Sequence, residues 1–409
     1  DLPGADIDEN GNITINGEQE SEIKGDGEDF GDANTALKNL PTSIIEKVRA
    51  YDEKSDLARI TGIDDGNEQT VLDFGIRAGM NRGMMMNADL GYGTKDRYSG
   101  RLFGMYMRDD YRVMGMFNAN NTNDQGMGGG GGRRFGGGMG MGGGGLNAAK
   151  TGMININYEK PKLIIGQVSV NVNHRDGDSW SRRFSDNFTG GGKDPNDPTK
   201  ELKNISNSIN QNYSRNTNWS VQGRVEWTPD TLWNIAFRPT WSFGSNDSQS
   251  DNTQATFNAN PYDYVDYQLD AAIMEKILSD QGIDALNSYL TNGSRNKSLS
   301  YGENKRLGGT LQINRLLNGR GRNITVQLTG NYSDNENRQL SNNQTRLYQG
   351  KTATYNGVSG ISEYQANRYN VTPTKSWDYS ARATYSEPIA YATFLQFSYT
   401  FQYRYNEND

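Results

Sequence analysis

The residues that could do chemistry are few, and their spacing argues against an enzyme. The chain has no Cys and a single His, His174, which excludes thiol nucleophiles, zinc thiolates and multi-histidine metal sites. His174 precedes Arg175 and Asp176, but no serine motif of the nucleophile-elbow type accompanies it. We therefore expect a protein that is not an enzyme, with no catalytic residue, no cofactor and no resident metal.

Four oxygen-rich or glycine-rich segments match ligand-binding loops only in part. Asp6-x-Asp8-x-Asn10-Gly11 has the spacing that starts a calcium loop, but Gly17 stands where such a loop needs a bidentate Glu. We interpret it as an Asn-Gly hairpin turn. Asp176-Gly177-Asp178 and Asp194-Pro195-Asn196-Asp197 could hold Ca²⁺, and we expect solvated turns at both. The Gly/Met run at 126–145 lacks Gly-Lys-Ser/Thr, and its composition favours a flexible loop.

Aromatic side chains are the candidates for contact with a ligand. Trp180, Tyr262, Tyr264, Tyr267 and Tyr348 all lie in segments that we predict to be long loops. Rings in such loops can stack on sugars or pack against one another, and both interpretations stay open. We take these five residues as the candidate ligand-facing set.

Composition narrows the class of protein that could present these rings. The chain of 409 residues is 33% hydrophobic and 10% aromatic, with 49 Gly and a mean hydropathy of -0.85. No run approaches the roughly 18 apolar residues of a membrane helix. Disordered chains are usually poor in aromatics, whereas strands that alternate apolar and polar residues keep the average hydropathy low. The net charge of -7 argues against a nucleic-acid partner.

Period-two alternation dominates from about residue 80 onward. Val168, Val170 and Val172 alternate with polar residues, and about 11 segments of roughly ten residues behave in the same way. These candidate strands lie at roughly 81–93, 97–107, 111–120, 147–158, 162–174, 215–228, 232–245, 304–316, 322–333, 376–386 and 390–406.

The connections between these strands alternate between short turns and long loops. The long loops are predicted at 121–146, 175–214, 246–303 and 334–375. Within the third loop, the segment from Leu269 to Leu290 has apolar residues at helical spacing followed by Gly282 as a breaker, which predicts one or two helices there. Transmembrane β-barrels place short turns on the periplasmic side and long loops outside, which favours such a barrel over a soluble sandwich. Trp227, Trp233 and Tyr391 flank short turns, where a barrel carries an aromatic girdle. Because bacterial barrels close with an even number of strands, we expect the natural protein to continue beyond Asp409.

Residues 1–76 differ in composition and form a separate predicted domain. They are acidic, with a predicted strand and turn at Asn12-Ile13-Thr14-Ile15-Asn16-Gly17 and predicted helical segments between Asp32 and Val48. We predict a small α+β domain at 1–76. Residues 77–409 are predicted to be the N-terminal half of an antiparallel outer-membrane β-barrel.

Several motifs resemble one family of membrane proteins. The chain is similar to TonB-dependent receptors of the Bacteroidota outer membrane, and the resemblance extends over nearly its whole length. It rests mainly on Leu2-Pro3-Gly4, Asp26-Gly27-Glu28-Asp29-Phe30, Tyr51-Asp52-Glu53-Lys54-Ser55-Asp56, Thr61-Gly62-Ile63-Asp64-Asp65-Gly66 and Lys305-Arg306-Leu307-Gly308-Gly309.

This resemblance implies a plug domain inside a barrel of about 22 strands, a size whose lumen is plugged. It also implies residence in the outer membrane of a Gram-negative bacterium, contact with lipid and with TonB, and import of a bulky glycan, peptide or chelate. A surface lipoprotein lid or other envelope proteins are further expected partners. One alternative is a barrel that does not transport and serves as a structural or assembly subunit of an envelope complex. Another is a soluble adhesin-like β-protein.

Overall fold

The structure of the protein is a computed structural model. It describes short strands within residues 1–76 and most of residues 82–408. Within that second range the residues left out are 109, 123–142, 161, 188–192, 195–196, 202–203, 280–281, 319–320, 349–353, 356–357, 360–361 and 391–392.

The described parts of residues 1–76 form strands in two small sheets. One sheet has the order β1-β2-β3, and the other has the order β5-β4-β7-β6 with β4 and β7 parallel. The strands are β1 Ala5–Ile7, β2 Ile13–Ile15, β3 Glu18–Gln19, β4 Glu22–Gly25, β5 Glu28–Asp32, β6 Ile45–Lys54 and β7 Glu68–Ile76.

These strands decide two of the predictions for this region. Strand β1 pairs with β2 in antiparallel register, as the predicted hairpin around Asn10-Gly11 requires, although the turn itself lies outside the described residues. The predicted helix is wrong at its end, because Ile45 and Val48 lie in β6 and pair with β7. Ile and Val are β-branched, which favours a strand over a helix. Residues 33–44 of that predicted helix lie outside the described residues.

Eleven strands beyond residue 80 form one antiparallel sheet in which every strand pairs with the next one along the chain. They are β8 Arg82–Gly93, β9 Arg97–Arg108, β10 Tyr111–Asn120, β11 Gly143–Lys160, β12 Ile164–Asn187, β15 Asn204–Trp227, β16 Trp233–Phe257, β17 Leu290–Leu316, β18 Asn323–Leu347, β21 Ser362–Ala390 and β22 Thr393–Asn408. Two small hairpins lie in the connections, formed by β13 Lys193–Asp194, β14 Asp197–Glu201, β19 Thr354–Tyr355 and β20 Val358–Ser359.

Each predicted strand exists, but from β11 to β21 the strands extend further toward the long connections. Strand β12, for example, continues past His174 to Asn187. Asp176-Gly177-Asp178, predicted as a turn, therefore lies inside a strand, and that prediction is wrong. The periodic signal fails there because both faces of the strand become polar, so period two no longer marks a buried or lipid-facing side.

One face of the sheet carries a continuous apolar row. The register places one residue of each of eight neighbouring strands in a single row across the sheet. These residues point to the same side of the sheet, which we name the apolar face. The rings of Tyr332, Trp377 and Tyr405 lie side by side along this row, with centroids 5.4 and 5.3 Å apart and planes tilted by 44° in both pairs. The row consists of Ile154, Val170, Val221, Trp241, Leu307, Tyr332, Trp377 and Tyr405.

The apolar face is exposed over a band of nearly constant height. On β16 its apolar residues run from 233 to 243, and on β18 from 324 to 332, which is 11 and 9 residues. Trp241 and Leu307 in this band are 46% and 58% exposed. Trp227 and Trp233, two of the predicted girdle residues, lie at its short-turn edge, where Arg315 Cζ lies over the Trp233 ring, 4.8 Å from the ring centroid. Tyr391 lies outside the described residues.

The opposite face, named the polar face, carries mainly Ser, Thr, Asn, Gln and Arg. The row next to the apolar row reads Asn171, Ser220, Ser242, Arg306, Ser333, Ser376 and Asn406 from β12 to β22. Hydroxyl pairs link neighbouring strands on this face, such as Ser333 and Ser376 with their oxygens 2.6 Å apart.

The connection between β16 and β17 contains the helices that its sequence predicted. Helix α1 is Ala271–Leu278 and helix α2 is Asp284–Asn287. The Ile273 backbone N–H donates to the side chain of Asp270 at the start of α1, at 2.9 Å. Gly282 separates the helices with a φ of +56°, a backbone conformation that favours glycine. Within the described residues no helix is long and apolar enough to cross a membrane.

Candidate ligand-facing end of the sheet

The strands continue well past the apolar band toward the long connections, and this extension carries the candidate site. On β16 the apolar face changes from Phe243 to Ser245, Asp247, Gln249 and Asp251. It becomes apolar again at Ala255 and Phe257, close to the loop. The extension therefore has its own small apolar surface, separated from the band by polar residues.

The loop at 258–289 covers that second apolar surface. Ile209, Ala255 and Phe257 share the apolar face by register, and all are nearly fully buried. Helix α1 contributes Met274 and Ile277 to the same cluster, which also contains Leu269, Leu286 and Leu290. The helices therefore pack on the apolar-face side of the strand extension, and their position follows from burial of this cluster.

Close packing of α1 depends on a glycine in β17. A Cβ at Gly293 would overlap with Leu278 Cδ2 of the helix. The Tyr348 hydroxyl donates to the Ile277 carbonyl oxygen near the end of α1, at 2.9 Å. Gly293 thus allows the approach, and Tyr348 satisfies a carbonyl at the helix end.

A bridging arginine ties the helix to the sheet. Arg295 on β17 donates to Asp251 on β16 at 2.9 Å and to Glu275 on α1 at 2.8 Å. The Arg295 hydrogen bond holds the pKa of the Glu275 carboxyl below its usual value. The hydrogen bond to Asp251 raises the pKa of Arg295 further. We name Arg295, Asp251 and Glu275 the helix clamp.

Further polar contacts hold the start of the loop. The Asn207 amide donates to the Leu269 carbonyl oxygen at 3.3 Å, and Arg182 donates to the Gln268 side chain at 2.8 Å. Strands β12, β15, β16 and β17 therefore all contact this one loop, through its apolar cluster, the helix clamp and these two bonds.

The five predicted ligand-facing residues fall into two groups. Tyr262 and Tyr348 pack against the apolar cluster. The Tyr262 ring also contacts the Phe184 ring, with the two ring centroids 5.6 Å apart. Trp180, Tyr264 and Tyr267 are 40–43% exposed. Tyr264 stacks on Tyr289 with ring centroids 3.9 Å apart, and its hydrogen bond with Tyr289 raises the pKa of the Tyr264 phenol.

The only histidine lies in the same extension, on the apolar face of β12. His174 Nε2 is 3.2 Å from Asp176 Oδ2, and His174 Nδ1 is 2.8 Å from Thr217 Oγ1. Asp176 also accepts from Arg215 Nε at 2.9 Å. The three charged or titratable groups form a cross-strand network on β12 and β15, where sequence analysis expected a loop.

The polar face contains a cavity that sequence analysis did not identify. It measures about 410 Å³ and lies over β15, β16, β17, β18 and β21. Arg306, Ser242, Ser333, Ser376, Asn331 and Asp378 are among its lining residues. Its lining residues extend in sequence from Ser220 to Asp378, so only the register of the strands brings them together. One signal for this cavity was present in the sequence. Arg306 is next to the apolar Leu307 in a segment of period-two alternation, so the alternation places its side chain on the polar face.

Comparisons with known proteins give weak matches only. No protein-family model matches the chain, and no curated protein matches it. Solved structures that are similar include FpvA of P. aeruginosa bound to heterologous pyoverdines, at 9% identity over 99% of this chain and 67% of that one, with a TM-score of 0.21.

Two other matches are of the same kind. One is the ferric-catecholate import receptor Fiu from E. coli K12, at 10% identity over 98% of this chain and 76% of that one, with a TM-score of 0.20. The other is the alcaligin outer membrane receptor FauA from Bordetella pertussis, at 9% identity over 98% of this chain and 76% of that one, with a TM-score of 0.19. Scores near 0.2 do not establish a shared fold, so the function has to be inferred from the geometry of this chain.

Proposed function

We propose that residues 77–409 form about half of the wall of an outer-membrane β-barrel of about 22 strands, with residues 1–76 as part of its plug. The barrel would serve as a TonB-dependent receptor that imports a bulky polar solute such as a glycan, a peptide or a chelate. The protein would therefore be a transporter of a Gram-negative outer membrane and not an enzyme.

The observation that carries this proposal is the exposed apolar band. A tilted strand needs roughly 9–11 residues to cross the hydrocarbon core of a bilayer, and the band measures 11 residues on β16 and 9 on β18. Exposed apolar surface of this extent on a protein in water would be an aggregation hazard, whereas in lipid it is stabilising. The nine inner strands pair with a neighbour on both sides, as a lipid environment requires, and the edge strands β8 and β22 would pair with the rest of the proposed barrel.

The placement of tryptophan supports the same orientation. All six Trp residues lie on the apolar face by register, although only half of all strand positions belong to it. Tryptophan concentrates at membrane interfaces because its ring is amphipathic. The six are Trp180, Trp219, Trp227, Trp233, Trp241 and Trp377.

The lengths of the connections indicate which end of the sheet would face the periplasm and which would face the outside of the cell. Short turns such as 228–232 would face the periplasm, where TonB would contact the plug, and the strand extension would face outside. Tyr264 and Tyr267 would be the exposed ligand-facing rings, with Tyr262 and Tyr348 supporting the loop beneath them. Trp180 was also predicted to face a ligand, but it lies on the apolar face, which would point away from the lumen. A surface lipoprotein would meet the same end of the barrel.

Growth on a limiting nutrient tests the import function. A strain carrying the protein and the same strain without it would be compared with an oligosaccharide, a peptide or chelated iron as the limiting nutrient. We expect slower growth of the deletion strain on one of the three, and the same loss when TonB is removed. Equal growth of the two strains on all three nutrients would contradict import.

A loop variant tests the ligand-facing residues. Replacing Tyr264 and Tyr267 together by Ala should weaken solute uptake by about fivefold or more at low solute concentration, because each ring contact contributes roughly 0.5–1.5 kcal/mol. Tyr369→Ala is the matched control, since Tyr369 is an exposed ring on the same face of β21 outside this loop. If both variants reduce uptake equally, Tyr264 and Tyr267 are not the ligand-facing rings.

A further inference from the structure

The cavity on the polar face has a chemical character that the proposed function alone does not specify. At its centre Arg306 is exposed and is flanked in register by Ser242 on β16 and Ser333 on β18. Ser376 follows on β21 and shares a hydrogen bond with Ser333, with the two oxygens 2.6 Å apart. One guanidinium therefore lies within a cross-strand row of hydroxyl groups.

Arg306 makes no hydrogen bond or ion pair with the part of the chain that the structure describes. The acidic side chain in the cavity lining, Asp378, is already held by Arg404, whose Nε and Nη2 both lie 2.9 Å from Asp378 Oδ2. The positive charge of Arg306 is therefore not neutralised by this carboxylate. A free guanidinium offers a planar set of donors that matches the two oxygens of an oxyanion.

The space beside Arg306 depends on a glycine two positions along β17. A Cβ at Gly308 would overlap with the Asn331 side-chain oxygen and would lie 3.1 Å from Thr240 Oγ1. Glycine here leaves room for the Asn331 and Thr240 side chains, so that an amide and a hydroxyl group line the cavity beside Arg306. Such groups hydrogen-bond to the hydroxyls of a sugar or the amides of a peptide.

We propose that this cavity is an oxyanion subsite on the solute path, which binds a carboxylate or phosphate group of a polar solute through Arg306. The inference rests on the proposed function, because the polar face is then the lumen of the barrel. Arg306 lies beside Leu307 at the long-loop end of the apolar band, so a solute would meet it on entering the membrane-spanning part of the lumen.

Binding of two matched sugars to the purified full chain in detergent tests this subsite. D-Glucuronate and D-glucose differ in one carboxylate and share the remaining ring hydroxyls. We expect glucuronate to bind about tenfold more tightly, because a charge-assisted bidentate contact contributes about 1.4 kcal/mol or more. Equal affinity for the two sugars in the unmodified protein would overturn the proposal.

Two variants show whether Arg306 carries the preference. Arg306→Gln should remove it, and Arg306→Lys should keep part of it, because a lysine retains the charge without the planar donors. Arg368→Gln is the control, since Arg368 is an exposed arginine on the polar face of β21 outside the cavity. An equal loss in the Arg306→Gln and Arg368→Gln variants would contradict a specific subsite.

The binding experiment tests the subsite and the growth experiment tests import, so either proposal can be contradicted without the other. A preference for glucuronate in the purified protein, with no growth defect in the deletion strain, would leave the subsite in place and remove the import function. A growth defect without any preference for glucuronate would leave import in place and remove the subsite.

Discussion

At the residue scale, Gly293 determines how closely helix α1 can approach the sheet. Its missing Cβ leaves the space that the Leu278 side chain occupies. A larger side chain would have to displace the Leu278 side chain, which is buried on α1. Cores that are overpacked in this way lose about 1–3 kcal/mol.

Gly293→Val should therefore loosen α1 while leaving the sheet paired. We expect faster hydrogen exchange at 271–278, with little change in β16. Gly302→Val is a matched control on the same strand, because the nearest atoms to a Cβ at Gly302 lie 3.9 Å away. Similar exchange in the two variants would mean that Gly293 does not control the position of the helix.

At the element scale, the loop between β16 and β17 was predicted in part from the sequence. Ile273, Met274, Ile277 and Leu278 have helical spacing, and Gly282 was recognised as the break between the two helices. The sequence could not show which face of the sheet the helices cover. The face that the helices cover is set partly by Ile209, which lies in a strand segment that was predicted as loop. It is also set by the contact between Asp251 and Arg295, which are 44 residues apart in sequence.

The helix clamp makes docking of α1 dependent on pH. Because Arg295 lowers the pKa of Glu275 in the folded state, the stabilising contribution of this carboxylate is complete above the ordinary pKa of Glu. It is lost as the pH falls through the lowered value. We expect protection of 271–278 from hydrogen exchange, corrected for intrinsic rates, to decrease below about pH 4.

Glu275→Gln isolates this effect. The variant should show reduced protection of α1 already at pH 7 and a weaker decrease on acidification. Lys276→Gln, the neighbouring substitution on the same helix, should behave like the unmodified protein, because Lys276 is not part of the clamp. An unchanged pH dependence in Glu275→Gln would exclude Glu275 as the group that titrates.

At the scale of the whole molecule, the number and order of the strands in the large sheet were predictable from the sequence. The lengths of the strands were not. Val168, Val170 and Val172 mark β12 because one face is apolar there, whereas from His174 onward the polar residues on both faces look like a loop. The oxyanion cavity was unpredictable for a related reason. Arg306, Ser333 and Asp378 meet only when the exact register of β17, β18 and β21 is known.

The central claim is that the apolar band lies in lipid and the strand extension lies in water. Depth-dependent fluorescence quenching tests it directly, with full-chain variants that keep one Trp and replace the other five by Phe. In vesicles with brominated acyl chains, we expect strong quenching of the Trp241 variant by the lipid and little quenching by iodide in the buffer. The Trp180 variant, in the extension, should show the reverse. Quenching of Trp241 by iodide but not by brominated lipid would contradict a membrane-spanning wall.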